Sequence, residues 1–177
     1  MEATHTIAPT TLVRLKQALV LGMSLWAVLY LRDADAFGLL DSVDLPIHET
    51  GHLVFAPFGE FMGFLGGTLL QLLLPLAFVA HFARRGDRFS AYVVMGWVAQ
   101  NLWNIARYIR DARAGELPLV GGGEHDWAYL LGRMNLLALD VAIADAVRMV
   151  GIALFACSMI LAFDHARDDP AAAPEPT

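Results

Sequence analysis

The chain has 177 residues, 57% of them hydrophobic and only 17% charged, with a formal net charge of −6. A mean hydropathy of +0.52 is too high for an ordinary soluble domain and fits a small polytopic membrane protein. The acidic balance and the lack of a basic patch exclude nucleic acid as a partner, and a single cysteine, Cys157, excludes a disulfide framework or a thiolate metal cluster.

Residues 1–11 carry Glu2 and no basic run, so they read as a disordered N-terminus ahead of a retained anchor rather than as a cleaved signal. Four apolar stretches follow, at 12–31, 61–83, 89–105 and 147–163, and each is expected to cross the membrane as a helix. The expected fold is therefore all-α: one four-helix transmembrane domain over 12–163, with short helices beside the membrane. The first stretch is short unless Arg14, Lys16 and Arg32 snorkel. The second ends at Arg84 and Arg85, and the third continues as a polar helix through Arg113. Residues 164–177 are polar and proline-containing and read as a disordered tail.

With four spans, the first and third connecting segments emerge on the same side of the membrane. The tight Arg84-Arg85-Gly86-Asp87-Arg88 turn has a cytoplasmic character, which sets those two segments on the exterior side. The first holds His48-Glu49-Thr50-Gly51-His52, in the segment 46–57; the second, 114–136, holds His125 and Asp126.

Two histidines four residues apart share one face of a helix and can direct two ring nitrogens at one ion. The glutamate after the first can reach a water bound there and act as general base. His48 and His52 are therefore candidate zinc ligands and Glu49 the candidate catalytic base, on a helix over 47–57 with Pro46 in its first turn. An open catalytic site needs a third ligand. No histidine follows the motif closely, which leaves His125 as the leading candidate, with Asp126, Asp111 and Asp140 in reserve. Asp126 can ligate, orient an imidazole, or simply cap a short helix over 127–134.

The third stretch carries Asn101, Asn104, Tyr108 and Asp111 at three- and four-residue steps, a polar stripe that in lipid must face the bundle interior. These residues either glue helices together or line a cleft and position substrate. Gln100 points about 100° away from that stripe. In the second stretch Gly59, Gly63 and Gly67, then Gln71 and Pro75, share a face suited to close helix approach. His81 lies towards the opposite end, Gly121, Gly122 and Gly123 form a candidate gate, and the four tryptophans read as packing and interface anchors.

His-Glu-Thr-Gly-His beside a hydrophobic span resembles the active-site motif of the site-2-type intramembrane metalloproteases, over little more than residues 46–56. The resemblance implies a zinc held by His48 and His52, with Glu49 activating water for peptide-bond hydrolysis. The Asn-Pro-Asp-Gly-like segment that supplies that family's third ligand has no counterpart here. The wider pattern (Phe58 to Phe61, Gly66-Gly67 before Gln71, Tyr108 to Arg113, His125-Asp126-Trp127) is similar to a group of small bacterial membrane proteins. That implies a shared site and residence in a bacterial inner membrane, but no reaction. The expectation is a zinc-dependent membrane hydrolase, most readily a peptidase cleaving a membrane protein or peptide at or near the membrane surface. The alternatives are a non-enzymatic membrane subunit whose metal or polar site docks a partner, and a hydrolase acting on lipid.

Overall fold

A computed structural model describes residues 9–33, 37–120 and 123–167; the sequence expectations for 1–8, for Gly121 and Gly122, and for 168–177 fall outside the described residues. Those described fold as six α-helices with short 3-10 turns and no strand: α1 (Pro9–Arg32), α2 (Leu39–Phe55), α3 (Glu60–Arg84), α4 (Arg88–Arg110), α5 (Asp126–Arg133) and α6 (Asp140–Asp164). Three helical stretches are long and apolar enough to cross a membrane: Thr10–Arg32, Glu60–Arg84 and Leu137–Arg167.

The remaining long helix, α4, is one continuous 23-residue element, but its apolar character is diluted by Gln100, Asn101, Asn104, Arg107 and Arg110. The reason is its position. It lies between α3 and α6, and Gln100 and Asn101 are fully buried there. A tight turn at 85–87 joins it to α3, with the Asp87 carboxylate accepting from the Ser90 N–H at 3.0 Å to cap α4.

Two close approaches set the packing of α4 on α6. A Cβ on Gly151 would come within 2.6 Å of the Trp103 ring, and one on Gly96 within 2.8 Å of the Met159 methyl. Glycine is required at 151, against the Trp103 ring, whereas at 96 the near atom is the end of the flexible Met159 side chain. Trp103, Phe155, Met159 and Ala162 form the core there, joined by Val20 and Ala27 of α1. Arg148 of α6 donates to the Leu31 carbonyl at 2.8 Å, satisfying an otherwise open acceptor at the end of α1.

Helix α2 begins earlier than its sequence suggests. Pro46 sits inside it, and the start is fixed two turns upstream, where the Gly38 N–H donates to the Asp41 carboxylate at 2.6 Å. The proline removes a single intrahelical bond, and the flanking turns are held by packing against α3. The inward face of α2 is polar (Asp41, Asp44, His48, then Gly51), whereas Leu39, Val43 and Leu53 point outward, with Leu53 77% and Leu39 82% exposed. Gly51 and Gly66 bring α2 and α3 nearly into backbone contact, since a Cβ on either would overlap the other's carbonyl.

Candidate metal centre

His48 and His52 lie one turn apart on α2, and the carboxylate that meets them is Asp126, at the start of α5. His48 Nε2 is 2.9 Å and His52 Nε2 3.3 Å from Asp126 Oδ2. All three candidate ligand atoms lie within 4.8 Å of one another. In a tetrahedral site with bonds near 2.0–2.1 Å, ligand atoms stand about 3.3 Å apart, so small adjustments would seat an ion.

The hydrogen bonds behind the imidazoles fix which nitrogen is offered. Asp41 can only accept: it takes bonds from Asn104 Nδ2 at 2.8 Å, Gln100 Nε2 at 3.0 Å, the Tyr30 hydroxyl at 2.9 Å and the Gly38 amide. Asn104 must therefore turn its Oδ1 to Gln71 Nε2, at 3.0 Å. Gln71 then turns Oε1 to His48 Nδ1, at 3.1 Å, which must carry the proton. On His52, Nδ1 donates to the Gly63 carbonyl at 2.8 Å. Both rings thus keep Nδ1–H engaged and turn Nε2 towards Asp126, the arrangement in which an outer hydrogen bond orients a metal-binding histidine.

Helix α3 makes room for this. A Cβ on Gly67 would fall 2.5 Å from His48 Nε2, so glycine is required at 67 for the ring to sit where it does. The ring of Tyr108 leans on those of His48, at 5.9 Å, and His125, at 4.2 Å, and its hydroxyl oxygen accepts from the Asp126 amide at 3.3 Å. Burial opposes ionisation of Asp126, but hydrogen bonds from His48 and His52 outweigh it and hold its carboxyl below the usual range. The same hydrogen bond with Asp126, acting against burial, lifts His52 to about 9.

His125, the leading sequence candidate for third ligand, is set apart from this group. It is the N-cap of α5, its Nδ1 accepting from the Ala128 amide at 3.3 Å, while Nε2 faces Asp111 at 3.4 Å. Burial lowers its pKa, with Asp111 pulling the other way. Adjacent residues at a helix start diverge by about 100°, so with His125 as cap Asp126 takes the direction of the imidazoles. Asp111 instead ties down the following segment, accepting from the Glu116 and Leu117 amides. Asp140 is paired with Arg113.

Glu49 lines a cavity of about 690 Å³ that also reaches His48, His52, Asp126, Tyr108 and Asn104. Its charge acts on His52 and Tyr108. Asn101 does not line that cavity; it is fully buried, with Nδ2 donating to its own helix at the Trp97 carbonyl, 3.2 Å away. Gln100, Asp41 and Asp44 belong to the buried network although the motif and the polar stripe do not include them. A signal is present for the two aspartates, since Asp41, Asp44 and His48 recur at three- and four-residue steps. Trp97 is more than an anchor: its indole N–H donates to Asp44 at 2.8 Å. His81 lies at the far end of α3, against Phe82. No protein-family model matches this chain, no curated protein matches its sequence, and no solved structure matches its fold.

Proposed function

We propose that this is a zinc-dependent membrane hydrolase, acting most readily on peptide bonds, with His48, His52 and Asp126 as the metal-holding residues and Glu49 as general base. The observation that carries the reading is the engagement of both Nδ1–H groups by Gln71 and Gly63, which turns two Nε2 atoms onto one buried carboxylate beside a cavity lined by a further glutamate. Two imidazoles and a carboxylate suit zinc, and they also suit iron(II), so metal analysis of the purified protein belongs to the test. A zinc ion held there supplies Lewis acidity, polarising a carbonyl and lowering the pKa of a coordinated water to about 7.

The chain's own residues do the rest. Glu49 takes a proton from the attacking water; the oxygen adds to the substrate carbonyl carbon; the carbon–nitrogen bond breaks, and the proton passes from Glu49 to the leaving amine. Gln71 and the Gly63 carbonyl hold the imidazoles still, and Tyr108 steadies Asp126.

Membrane residence rests on the three helical stretches long and apolar enough to cross a bilayer. The tight turn to α3 and the long contact with α6 support α4 as a fourth span, its polar residues turned inward. On that reading His48, level with Gly67 and Gln71 towards the middle of the 25-residue α3, would sit below the membrane surface rather than at it, and be reached through the cavity. The test is Glu49→Gln in purified protein. It should retain its metal while hydrolysis of membrane-inserted peptides falls by about 10²–10⁴-fold. Unchanged activity would remove Glu49 as the base, and no activity in the zinc-loaded wild type would favour the non-enzymatic subunit.

A further inference from the structure

The end of the molecule away from the histidines gathers basic residues from three parts of the chain. Arg84, Arg85 and Arg88 sit at the turn between α3 and α4, Arg14 and Lys16 near the start of α1, and Arg167 just beyond α6. Two contacts draw these elements together. The Lys16 ammonium stands 4.9 Å from the centre of the ring of Phe89, next in sequence to Arg88. One turn along α4, the ring of Tyr92 packs on His165, two residues before Arg167, with centres 5.1 Å apart. The arginines of this group are exposed and make no ion pair among the described residues. The described acids at this end are Asp87, whose carboxylate caps α4 through Ser90, and Asp164, exposed at the close of α6. A positive excess remains.

Its setting points to what covers it. The three stretches able to cross a bilayer, Thr10–Arg32, Glu60–Arg84 and Leu137–Arg167, each begin or end here. Exposed apolar side chains adjoin the charge: Leu12 and Leu15 on either side of Arg14, and Leu161 and Phe163 ahead of Arg167. Bases at the boundary of an apolar slab stand at headgroup level, and a cluster of four to eight of them favours anionic lipid. The far end has the opposite sign around its opening. Glu49, Glu60 and Glu124 line the cavity there, while Arg110 and Arg113 are paired with Asp145 and Asp140. Along α3, Arg84 and the Gly63 carbonyl that holds His52 are about 30 Å apart, close to the thickness of a hydrocarbon core.

We infer that the basic end is a docking surface for anionic phospholipid headgroups such as phosphatidylglycerol. Guanidinium groups meet a phosphate with paired donors, and the acidic cavity end repels the same headgroups. Binding at one end alone orients the chain, with the histidine centre opening towards the leaflet opposite the bound headgroups. The inference rests on membrane residence and not on hydrolysis.

The test is thermal unfolding of the full chain in neutral detergent micelles, with phosphatidylglycerol or phosphatidylcholine titrated in. Wild type should gain about 3–6 °C in Tm at ten times the phosphatidylglycerol Kd, and less at high salt. Phosphatidylcholine and inorganic phosphate should give no comparable gain. Each base near an anionic surface is worth about fivefold in binding. The triple variant Arg84→Gln, Arg85→Gln and Arg88→Gln should therefore need about 100-fold more phosphatidylglycerol for the same response. If it does not fold, Arg14→Gln with Arg167→Gln serves, with a displacement of about 25-fold. Arg32→Gln with Arg133→Gln, at the cavity end, should respond as wild type does. No difference between the two lipids, an undiminished response in the basic-end variants, or an equal loss in the cavity-end variant would overturn the surface. So would a phosphatidylglycerol response that appears only once residues 168–177 are removed, which would give the surface to Asp168 and Asp169 of the chain itself.

Discussion

Gly67→Ala puts the metal centre under a graded steric test. The added Cβ would stand 2.5 Å from His48 Nε2 and 2.7 Å from Cδ2 and Cε1. Ordinary contact needs about 3.5 Å, so the ring must retreat by roughly 1 Å, several times the ~0.2 Å tolerance of a metal bond. The ring cannot move freely, because Nδ1 is tied to Gln71 and α2 is locked to α3 at Gly51 and Gly66. Two effects on stability oppose each other. Alanine improves helix propensity by about 1 kcal/mol, whereas overpacking costs about 1–3 kcal/mol. Folding should therefore change modestly, while zinc affinity falls by at least about 100-fold, more than is usual for loss of an outer hydrogen bond. Gly63→Ala is the control. Its Cβ would meet only the Ala56 Cα at 3.6 Å, and the carbonyl that holds His52 stays in place. Titration of both variants with zinc, read by calorimetry or a competing chelator, decides the matter. Wild-type affinity in Gly67→Ala, or equal losses in the two, would refute the placement of His48.

Gln71→Leu removes the acceptor for His48 Nδ1 and should weaken zinc binding about 10–100-fold with little change in fold, as read by the same titration. His125→Ala should keep full zinc stoichiometry yet lose about 0.5–2 kcal/mol of stability with its α5 cap; a proportional loss of metal would return His125 to the ligand set. In metal-free protein the raised pKa of His52 contributes stability that is complete below its ordinary value near 6.5 and is lost as pH rises through about 9. Thermal stability without metal should fall over that window while zinc affinity climbs, because zinc displaces the same proton; flat profiles would break the link between His52 and Asp126.

The helices apolar enough to cross a membrane were legible from composition alone, and α1, α3 and α6 enclose three of the four expected apolar stretches. Less legible was α2, because Pro46 looks like a helix start when neighbours are not known, whereas packing on α3 carries the helix through it. The pairing of the two histidines was readable from spacing, since four residues make one helical turn. Choosing between His125 and Asp126 was beyond spacing. It turns on which of two adjacent residues caps α5, and that depends on Asp111 and Tyr108, distant in sequence. Gln100 leaves the stripe of Asn101 and Asn104, yet a helix packed between α3 and α6 and approached by α2 buries more than one face.

Metal content bears most directly on the central claim. Wild type, His48→Ala, Asp126→Asn and His125→Ala should be purified in detergent alike and their bound zinc and iron measured by mass spectrometry. One equivalent in wild type and His125→Ala, with little in the other two, is the expected result. No stoichiometric metal in wild type, or full occupancy in Asp126→Asn with loss in His125→Ala, would contradict a centre built from His48, His52 and Asp126.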